Sequence, residues 1–346
     1  MTNYGVPAEH LGKYGLIKMD TRKVLITGGS GFIGSNILHC FFKKGEELHT
    51  LVRGTTDMWR IRDIVDDIHI HIGDLSDEQQ LREILSKVKP DVVINSSGAV
   101  RGFSMTDQMG VVQGNFINTV NIVNACIESN IDVFLNTGSA YECGFSNNPI
   151  SEDNCQNMPI GLYGIAKRAE REYVETIARK YSKNYLTMRL FTPYGHYDSH
   201  RRLIPHIITS LILDKTPKIK NPKAGRDFIF VDDVATAFYK IALDPGLFGT
   251  RLTIDIATGK LTKVSEIAST LFEMFDKIYQ SDSYGDNVEE YLYAGGNGVF
   301  DATHKLSIGM VSLEDNLKKT KEWFEKNISH YEENNGPRVS FAGDDN

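Results

Sequence analysis

The stretch Lys23-Val-Leu-Ile-Thr-Gly-Gly-Ser-Gly-Phe-Ile-Gly34 places three spaced glycines directly after a short apolar run of β type. Gly28, Gly31 and Gly34 have the spacing at which a strand turns into a helix around a dinucleotide pyrophosphate. Gly28 would permit the tight turn, Gly31 would let the backbone approach the pyrophosphate, and Gly34 would let the helix pack on the sheet. The amides at the helix N-terminus would then face the anion. An ordinary glycine-rich turn is the alternative on spacing alone, but the apolar strand before the glycines and the helical apolar face after them favour the nucleotide turn.

From Lys23 to about Leu190, short apolar runs alternate with amphipathic helical stretches. This alternation predicts an α/β fold, a Rossmann-type doubly wound parallel sheet with helices on both faces and ligands at the carboxyl ends of the strands. The predicted strands are Lys23–Thr27, Leu48–Val52, Ile68–Ile72, Val92–Asn95, Val133–Asn136 and Tyr185–Leu190, and the predicted helices between them include Asp77–Leu85, Val112–Glu128 and Tyr163–Tyr181.

After Leu190 the alternation breaks down, which predicts a smaller mixed C-terminal lobe for the substrate. Its predicted elements are the helix Leu203–Leu213, a strand within Arg226–Asp233, the helix Val234–Leu243 and a helix at Leu313–Lys326 that Ser312 caps. We therefore predict an N-terminal extension (1–21), an NAD(P)-binding Rossmann domain (22–195), a substrate-binding lobe (196–335, of which 227–257 returns to the Rossmann core) and a flexible tail (336–346).

The composition is that of a globular protein, with 41% of the 346 residues hydrophobic and 24% charged. The formal net charge of -7 argues against broad binding to nucleic acid. No apolar run approaches the ~20 residues that span a bilayer, and the N-terminal residues lack the apolar core of a secretion signal. We therefore expect no nucleic-acid partner, no membrane association and a cytoplasmic location.

The four cysteines, Cys40, Cys126, Cys143 and Cys155, show neither CxxC spacing nor a nearby histidine cluster. This pattern predicts reduced thiols rather than disulfides or metal ligands, and we expect no metal site.

The residue that follows the second predicted strand bears on the choice of cofactor. In dinucleotide folds, an acidic side chain about 20 residues past the glycines binds the ribose hydroxyls of NAD, whereas an arginine accommodates the phosphate of NADP. Here Arg53 follows the strand and no carboxylate precedes Asp57, which favours NADP over NAD. A solvated surface arginine is the alternative interpretation. Asp74, after the third strand, could meet the adenine edge or could cap the next helix.

The segment Tyr163-Gly-Ile-Ala-Lys167 places a phenol and an ammonium one helical turn apart on one face. A nearby cation favours the phenolate and lowers a tyrosine pKa from its reference of ~10, which suits an acid/base catalyst. A surface tyrosine beside a snorkelling lysine is the alternative, and the position after the fifth strand of a dinucleotide fold favours catalysis. Ser139, just beyond Val133–Asn136, could hydrogen-bond the reacting oxygen.

Several ordered motifs between Lys23 and Lys326 together resemble the extended short-chain dehydrogenase/reductase family, of the nucleotide-sugar epimerase, dehydratase and 4-ketoreductase type. The motifs are Thr27–Gly34, Gly73–Leu75, Asn115, Ser139–Gly144, Tyr163–Lys167, Arg189–Gly195 and Arg226–Asp233. The resemblance implies a catalytic triad of Ser139, Tyr163 and Lys167, in which Lys167 also holds the nicotinamide ribose.

With the residues already considered, the resemblance implies a cofactor site and a substrate site. The expected cofactor-binding residues are Gly28, Ser30, Gly31, Phe32, Ile33, Gly34, Arg53, Asp74, Leu75, Ser97, Gly98, Asn115, Tyr163, Lys167 and Phe191. The expected substrate-binding residues are Ser104, Tyr141, Thr192, Arg201, Leu203 and Arg226, the last on the diphosphate of the sugar nucleotide. The resemblance also implies a homodimer through the helices Val112–Glu128 and Tyr163–Tyr181, although their apolar positions would equally suit packing within one chain.

Three departures from the family pattern narrow the chemistry. Asn95-Ser-Ser-Gly98 replaces a His-Leu-Ala-Ala type segment, and Thr192 replaces an asparagine. Ala140-Tyr141 stands where dehydratases carry an Asp-Glu pair that expels water, so 4,6-dehydration is disfavoured.

The sequence therefore favours an NADP-dependent reductase of the C4 keto group of a nucleotide-linked 4-keto-6-deoxy sugar, with Tyr163 as the proton donor. An NAD-dependent 4-epimerase, which would oxidise and then reduce C4 with one retained cofactor, is the alternative enzyme. A non-catalytic NADP-binding regulatory protein is the alternative from another class, because fold alone does not decide function. The intact Ser139, Tyr163 and Lys167 speak against that last interpretation.

Overall fold

A computed structural model describes residues 21–99, 108–146, 148–150, 155, 157–280, 291–292 and 302–332. The N-terminal extension up to residue 20, the predicted substrate residue Ser104 and the predicted tail 336–346 lie outside the described residues.

A seven-stranded sheet forms the centre of the molecule, and every neighbouring pair of its strands is parallel. The strand order is β3-β2-β1-β4-β5-β6-β9, so the chain reverses direction across the sheet between β1 and β4, which is where open α/β sheets bind ligands. The predicted doubly wound fold is therefore confirmed. The strands are β1 (Lys23–Thr27), β2 (Glu47–Val52), β3 (His69–Ile72), β4 (Val92–Asn95), β5 (Val133–Ser139), β6 (Asn184–Leu190) and β9 (Thr253–Ile256).

Helices cover both faces of this sheet, and each face has its own apolar core. One core contains Ile26, Leu38 and Phe238 and joins the sheet to α1 (Phe32–Lys43) and α7 (Val231–Leu243). The opposite core contains Leu25, Leu85, Ile122 and Val174. It joins the sheet to α2 (Glu78–Val88), α4 (Asn118–Glu128) and α5 (Gly161–Tyr181). The short helix α3 (Gln108–Val112) leads into α4 through a π-helical turn, Gln113–Ile117.

A second, smaller sheet lies in the C-terminal part of the chain. The strand β8 (Gly225–Phe230) pairs with β7 (Thr192–Tyr194), β10 (Leu261–Lys263) and β11 (Tyr291–Leu292). A separate core of Ile207, Phe228, Ile267 and Phe324, among others, packs this sheet against helices. These helices are α6 (Leu203–Ile212), α8 (Val264–Glu273), α10 (Leu313–Lys326) and α11 (Ser329–Glu332). The short helix α9 (residues 302–306) instead contributes Ala302 and Leu306 to the core that contains Ile26.

We expected residues 227–257 to return to the Rossmann core, but only part of this segment packs there. Residues 227–230 belong to β8 of the small sheet, whereas α7 packs against α1 and β9 pairs with β6 in the large sheet. The division of the chain into domains stays a prediction. The predicted cap of α10 is confirmed, because Ser312 Oγ accepts from the backbone N–H of Asp315 at 3.0 Å.

The expectation that all cysteines are reduced is wrong, because Cys143 and Cys155 form a disulfide. Their Cα atoms lie 4.5 Å apart at a separation of 12 residues, and nearby Asn157 Nδ2 donates to the Phe145 carbonyl at 2.9 Å. Spacing along the chain could not show this, because it does not fix the distance between two residues in the fold. The finding removes one ground for the cytoplasmic location, which stays a prediction. Among the described residues, no helix has the length and apolar character that crossing a bilayer requires.

Candidate active site

The glycine turn between β1 and α1 has the geometry that a dinucleotide requires. Gly28 has φ +70°, and a Cβ there would lie 2.5 Å from the Ser96 carbonyl oxygen. A Cβ on Gly34 would lie 2.2 Å from the Gly28 carbonyl oxygen. A Cβ on Gly31 would meet only that same oxygen, at 3.2 Å. Gly28 and Gly34 are thus required by the turn itself, whereas Gly31 has a single close contact.

The N-terminus of α1 carries Phe32 and Ile33 and begins after Gly31, which provides no side-chain cap. The first amides of a helix lack intrahelical partners, so these groups suit a phosphate. The Ser96 hydroxyl, beside Gly28, is buried without a hydrogen-bond partner among the described residues. These observations fit a nicotinamide dinucleotide along the turn. Ser30 lies within it, and its carbonyl oxygen is 3.5 Å from Arg60 Nη1.

The turn after β2 presents an exposed arginine beside a carboxylate. Thr56 closes this turn, because its N–H donates to the Arg53 carbonyl at 2.9 Å and its hydroxyl accepts from the Arg53 N–H at 3.0 Å. Hydrogen bonds from Ser76, and then the charge of Arg53, lower the pKa of Asp74. The expectation that Asp74 could cap α2 is wrong, since Asp77 is the cap and accepts from the Gln80 N–H at 3.0 Å. Asp74 instead accepts from the N–H and hydroxyl of Ser76, both at 2.8 Å.

Asn115 fixes the segment that follows β4. Its Nδ2 donates to the carbonyls of Ala99 and Val111, both at 2.8 Å, and its Oδ1 accepts from the Ala99 N–H at 3.3 Å. A Cβ on Gly98 would lie 2.9 Å from Asn115 Oδ1 and 3.7 Å from Lys167 Nζ. The π-helical turn that carries Asn115 is a feature often found at functional sites. The segment after β4 is therefore held close to Lys167, and Ser97 within it is half-buried. Leu75, in the segment after β3, is buried.

Tyr141 contacts both Ser139 and Tyr163. Ser139 ends β5, and its Oγ accepts from the Tyr141 N–H at 3.3 Å. The rings of Tyr141 and Tyr163 pack edge to face with centroids 5.9 Å apart. Tyr163 lies in the first turn of α5 and Ser139 at the carboxyl end of β5, so both hydroxyl-bearing residues lie at the same edge of the sheet.

Lys167 is buried, and its ammonium reaches β5 directly. Its Nζ donates to the Thr137 carbonyl at 2.9 Å and to Glu170 Oε1 at 2.7 Å, and lies 5.8 Å from the Tyr163 ring centroid. Burial lowers the pKa of Lys167, but the charges of Glu170 and Tyr163 more than offset this, so the pKa lies above its usual value. The residue is therefore an ammonium at neutral pH beside the phenol, as acid/base catalysis by Tyr163 requires.

The expected substrate residues lie around β7, α6 and β8. Thr192 begins β7, and Phe191 before it packs against Ala140 and Cys143. Arg226 Nη1 donates to the Gly225 carbonyl at 3.0 Å, and the guanidinium lies 5.9 Å from the Phe145 ring. Arg201 and Leu203 are half-buried at the start of α6.

Arg202 lies between the predicted substrate residues Arg201 and Leu203 and contacts Phe32. Its guanidinium lies 5.4 Å from the centroid of the Phe32 ring, at the N-terminus of α1. It also donates to the Pro193 carbonyl at 2.9 Å and to Asp198 at 3.2 Å. The sequence did not indicate which of the adjacent arginines, Arg201 or Arg202, would contact Phe32.

Sequence reasoning also missed the buried acids behind the site. Glu142 accepts from Arg189 Nη1 at 3.0 Å and lies 3.1 Å from Arg171 Nε. Burial raises its pKa to about 6, although both arginines oppose the shift. Glu170 contacts Lys167 as described. The available signals were the i,i+3 spacing of Lys167 and Glu170 on one helix face and the polar ends, Asn95 and Asn136, of otherwise apolar strands.

Two groups of potential metal ligands occur among the described residues, both outside the cofactor turn. Glu142, Cys143 and Cys155 form one, but its sulfurs are joined in the disulfide. Glu47, His49 and His69 form the other. The rings of His49 and His69 stack with planes 22° apart, so their in-plane lone pairs do not converge on one point. The prediction of no metal site remains a prediction.

Comparisons with known proteins agree with this geometry. The chain matches the NAD dependent epimerase/dehydratase family over residues 24–251. It is 25% identical to the CDP-abequose synthase of Yersinia pseudotuberculosis over 255 residues, 73% of this chain and 85% of that protein. It is 25% identical over 322 residues to the "Putative UDP-glucose 4-epimerase" of Methanocaldococcus jannaschii, 88% of this chain and 99% of that one.

A solved structure shows the same fold. The dTDP-glucose 4,6-dehydratase of Bacillus anthracis, in complex with NAD, superposes with a TM-score of 0.77 at 17% identity, covering 89% of this chain and 98% of that one. The match over residues 24–251 spans most of the chain and confirms the resemblance to the extended short-chain dehydrogenases/reductases. The chain belongs to the NAD dependent epimerase/dehydratase family and is an enzyme of the nucleotide-sugar epimerase/dehydratase type.

Proposed function

We propose that this enzyme reduces the C4 keto group of a nucleotide-linked 4-keto-6-deoxy sugar with NADPH. The observation that carries the proposal is the position of the buried Lys167 ammonium, 5.8 Å from the Tyr163 ring centroid and 2.9 Å from the Thr137 carbonyl, two residues before Ser139. A phenol, a cation and a hydroxyl thus lie together beside a glycine turn that suits a nicotinamide dinucleotide.

In this mechanism Tyr163 is the general acid. When bound, a reduced nicotinamide would supply a hydride to C4, and the Tyr163 hydroxyl would give its proton to the C4 oxygen. The Lys167 ammonium stabilises the phenolate that remains, because the opposite charge favours the ionised form. The Ser139 hydroxyl donates a hydrogen bond to the same oxygen and orients it. Gly98 and Asn115 hold the segment after β4 beside Lys167, where the nicotinamide ribose would lie.

Arg53 supports NADP as the cofactor. Its side chain is exposed at the end of β2, and its backbone is fixed in the turn that Thr56 closes. The guanidinium can therefore meet a 2′-phosphate, as arginines at this position of the fold do. Asp74 lies near enough to influence this charge, but its carboxylate is engaged by Ser76.

The turn after Ser139 disfavours dehydration. Ala140 and Tyr141 carry no carboxyl group, and the next acid, Glu142, is buried and bonded to Arg189. A carboxylate that is held by an arginine behind the site is poorly placed to expel water from a sugar.

A 4-epimerase is the second candidate, and the similarity to the M. jannaschii protein over 88% of this chain favours it. Tyr163 would then act first as base and afterwards as acid, beside the same Lys167 ammonium and with one retained cofactor. A non-catalytic NADP-binding role uses neither the phenol nor the hydroxyl, so the assembled Ser139, Tyr163 and Lys167 argue against it.

The test is absorbance at the reduced-nicotinamide band, with NADPH or NADH and a panel of nucleotide-linked 4-keto-6-deoxy sugars. Stoichiometric oxidation of NADPH in preference to NADH is expected. A change in sugar configuration without net oxidation would instead identify the epimerase. Firm NADPH binding with no turnover of any sugar nucleotide would favour the regulatory role.

We also propose a homodimer through α4 and α5. Ile165 on α5 and Met109 on α3 expose large apolar side chains, with exposed fractions of 52% and 77%. Light scattering coupled to gel filtration should give twice the mass of the chain, and Ile165→Glu should shift the mass toward that of one chain.

A further inference from the structure

Glu170 forms a buried ion pair with the candidate catalytic lysine. Its Oε1 accepts from Lys167 Nζ at 2.7 Å, and its side chain is fully buried. Tyr163, Lys167 and Glu170 follow one another at i,i+4 and i,i+3 on α5, so they share one face of the helix. A carboxylate therefore stands behind the ammonium, on the side away from the phenol.

Glu170 is also held by neutral side chains on β5 and α4. Asn136 Nδ2 on β5 donates to its Oε1 at 3.3 Å, and Thr119 Oγ1 on α4 donates to its Oε2 at 3.2 Å. Asn95 Nδ2 reaches both partners, at 3.0 Å from Asn136 Oδ1 and 3.1 Å from Thr119 Oγ1. The carboxylate is thus fixed in one orientation.

These bonds continue to the glycine turn. Thr27, the last residue before Gly28, donates from its Oγ1 to Asn95 Oδ1 at 2.7 Å. Thr27, Asn95 and Asn136 are aligned neighbours in the register of β1, β4 and β5. We call Thr27, Asn95, Asn136 and Thr119 the polar row. It connects the turn that suits the cofactor to the acid that holds Lys167.

We propose that Glu170 is a positioning residue that acts through Lys167, keeping its ammonium protonated and aimed between Thr137 and Tyr163. This inference rests on the proposed function of the site. A buried ammonium without a counter-charge loses its proton readily, because burial disfavours the charged form. The carboxylate supplies that counter-charge, and the polar row fixes its place.

Among the described residues, the other carboxylate that acts on Lys167 does not replace Glu170. Glu142, from the turn after β5, is paired with Arg189 and Arg171. The polar row contributes no titratable group from β5 or α4. Removing the charge of Glu170 therefore lowers the pKa of Lys167, since the ammonium loses the negative charge that stabilises it. This shift moves the alkaline limb of activity to lower pH.

The test uses Glu170→Gln, which removes the charge and keeps the shape. The amide oxygen can still accept from Lys167 and Asn136, and the Thr119 hydroxyl can accept in place of donating. Glu172→Gln is the matched control, because Glu172 lies on the same helix with 61% of its side chain exposed. NADPH affinity is measured by fluorescence, and kcat/KM is measured with the 4-keto sugar. Both are followed from about pH 6 to about pH 9, a range that lies below the reference pKa of lysine.

For Glu170→Gln we expect NADPH affinity and kcat/KM near those of the wild type at the acid end. Both should fall with rising pH, by up to about tenfold per pH unit above the lowered pKa of Lys167. Glu170→Asp, which keeps the charge, should return the alkaline limb toward its wild-type position. A loss by one constant factor at every pH, or a profile like that of Glu172→Gln, would overturn the proposal.

The two proposals can fail separately. If no sugar nucleotide turns over, the proposed function fails, but the pH profile of NADPH binding still tests Glu170. If NADPH does not bind, the unfolding transition tests the pair. Lys167→Met should lower the midpoint, and adding Glu170→Gln should restore much of it. An equal midpoint in the single and double variants would overturn the role of Glu170.

Discussion

The carboxyl edge of the large sheet and the small C-terminal lobe build their parts of the site in different ways. At the sheet edge, Gly28, Gly34 and the polar row are fixed by backbone contacts and buried hydrogen bonds that leave little freedom. In the lobe, Arg201 and Arg226 are half-buried side chains at the ends of α6 and β8. Under the proposed function, cofactor binding would depend on the backbone of the fold, whereas sugar recognition would depend on individual side chains.

The largest expected effect is on turnover at the sheet edge. Tyr163→Phe should retain NADPH binding and lose roughly 10²–10⁴ in kcat, as expected for removal of a general acid. Tyr181→Phe, at the exposed end of the same helix, is the control. Turnover that survives in Tyr163→Phe would remove the proposed mechanism.

Breaking the ion pair behind the site should cost stability as well as activity. Lys167→Met leaves the buried Glu170 without its counter-charge and should lower the free energy of unfolding by about 3–5 kcal/mol. Lys167→Met combined with Glu170→Gln should recover most of that loss. Denaturant unfolding of both variants measures the free energy of unfolding. If the second substitution recovers none of the lost stability, Lys167 and Glu170 do not form a coupled pair.

The glycine turn tests whether the backbone alone sets cofactor binding. In Gly34→Ala the new Cβ meets the Gly28 carbonyl at 2.2 Å, which should destabilise the fold by about 1–3 kcal/mol and weaken NADPH binding. Gly246→Ala is the control, because its Cβ would meet only an Asp244 oxygen at 3.5 Å. Unfolding and fluorescence titrations give the two quantities, and equal behaviour of the variants would contradict a close turn.

Cofactor choice depends on one exposed side chain and should change less. Arg53→Ala should weaken NADPH binding by roughly tenfold or more, as expected for loss of a hydrogen bond to a charged group, and leave NADH binding unchanged. Arg62→Ala, a nearby exposed arginine, should change neither affinity. A parallel loss for NADPH and NADH would mean that Arg53 does not read the 2′-phosphate.

The smallest effect is expected in the lobe. Arg226→Ala should raise KM for the sugar nucleotide by about tenfold through loss of a charged contact to the diphosphate, while the affinity for NADPH stays constant. Initial rates at saturating NADPH measure this, with Arg251→Ala as the control for an exposed arginine. If kcat falls and KM does not, Arg226 acts on the reaction and not on binding.

The parts of the fold that follow from local pattern were predictable. The strands Lys23–Thr27 and Val92–Asn95 have the predicted bounds. Glycine is required at Gly28 and Gly34, because a Cβ at either position would lie less than 3 Å from backbone atoms. The parts that depend on how distant segments meet were not. Glu170 shares a helix face with Lys167, but only the packing of α4 and β5 shows that it is buried.

The same reason accounts for the errors. Asp74 and Asp77 are both plausible caps in the sequence, and the geometry of the turn with Ser76 decides between them. The Cys143–Cys155 disulfide depends on the distance between the two residues in the fold, which their spacing along the chain does not fix. The roles of the individual site residues remain predictions. The sequence pattern does not determine which ligand the side chains of the C-terminal lobe bind.

The most direct test of the central claim follows a labelled hydride. The enzyme is incubated with NADPH carrying deuterium at the transferable position and with a nucleotide-linked 4-keto-6-deoxy sugar, and the product is examined by mass spectrometry and NMR. The account predicts one deuterium at C4 for each NADPH oxidised, and no label in the product of Tyr163→Phe over the same time. A sugar whose configuration at C4 changes without label from the added NADPH would contradict it.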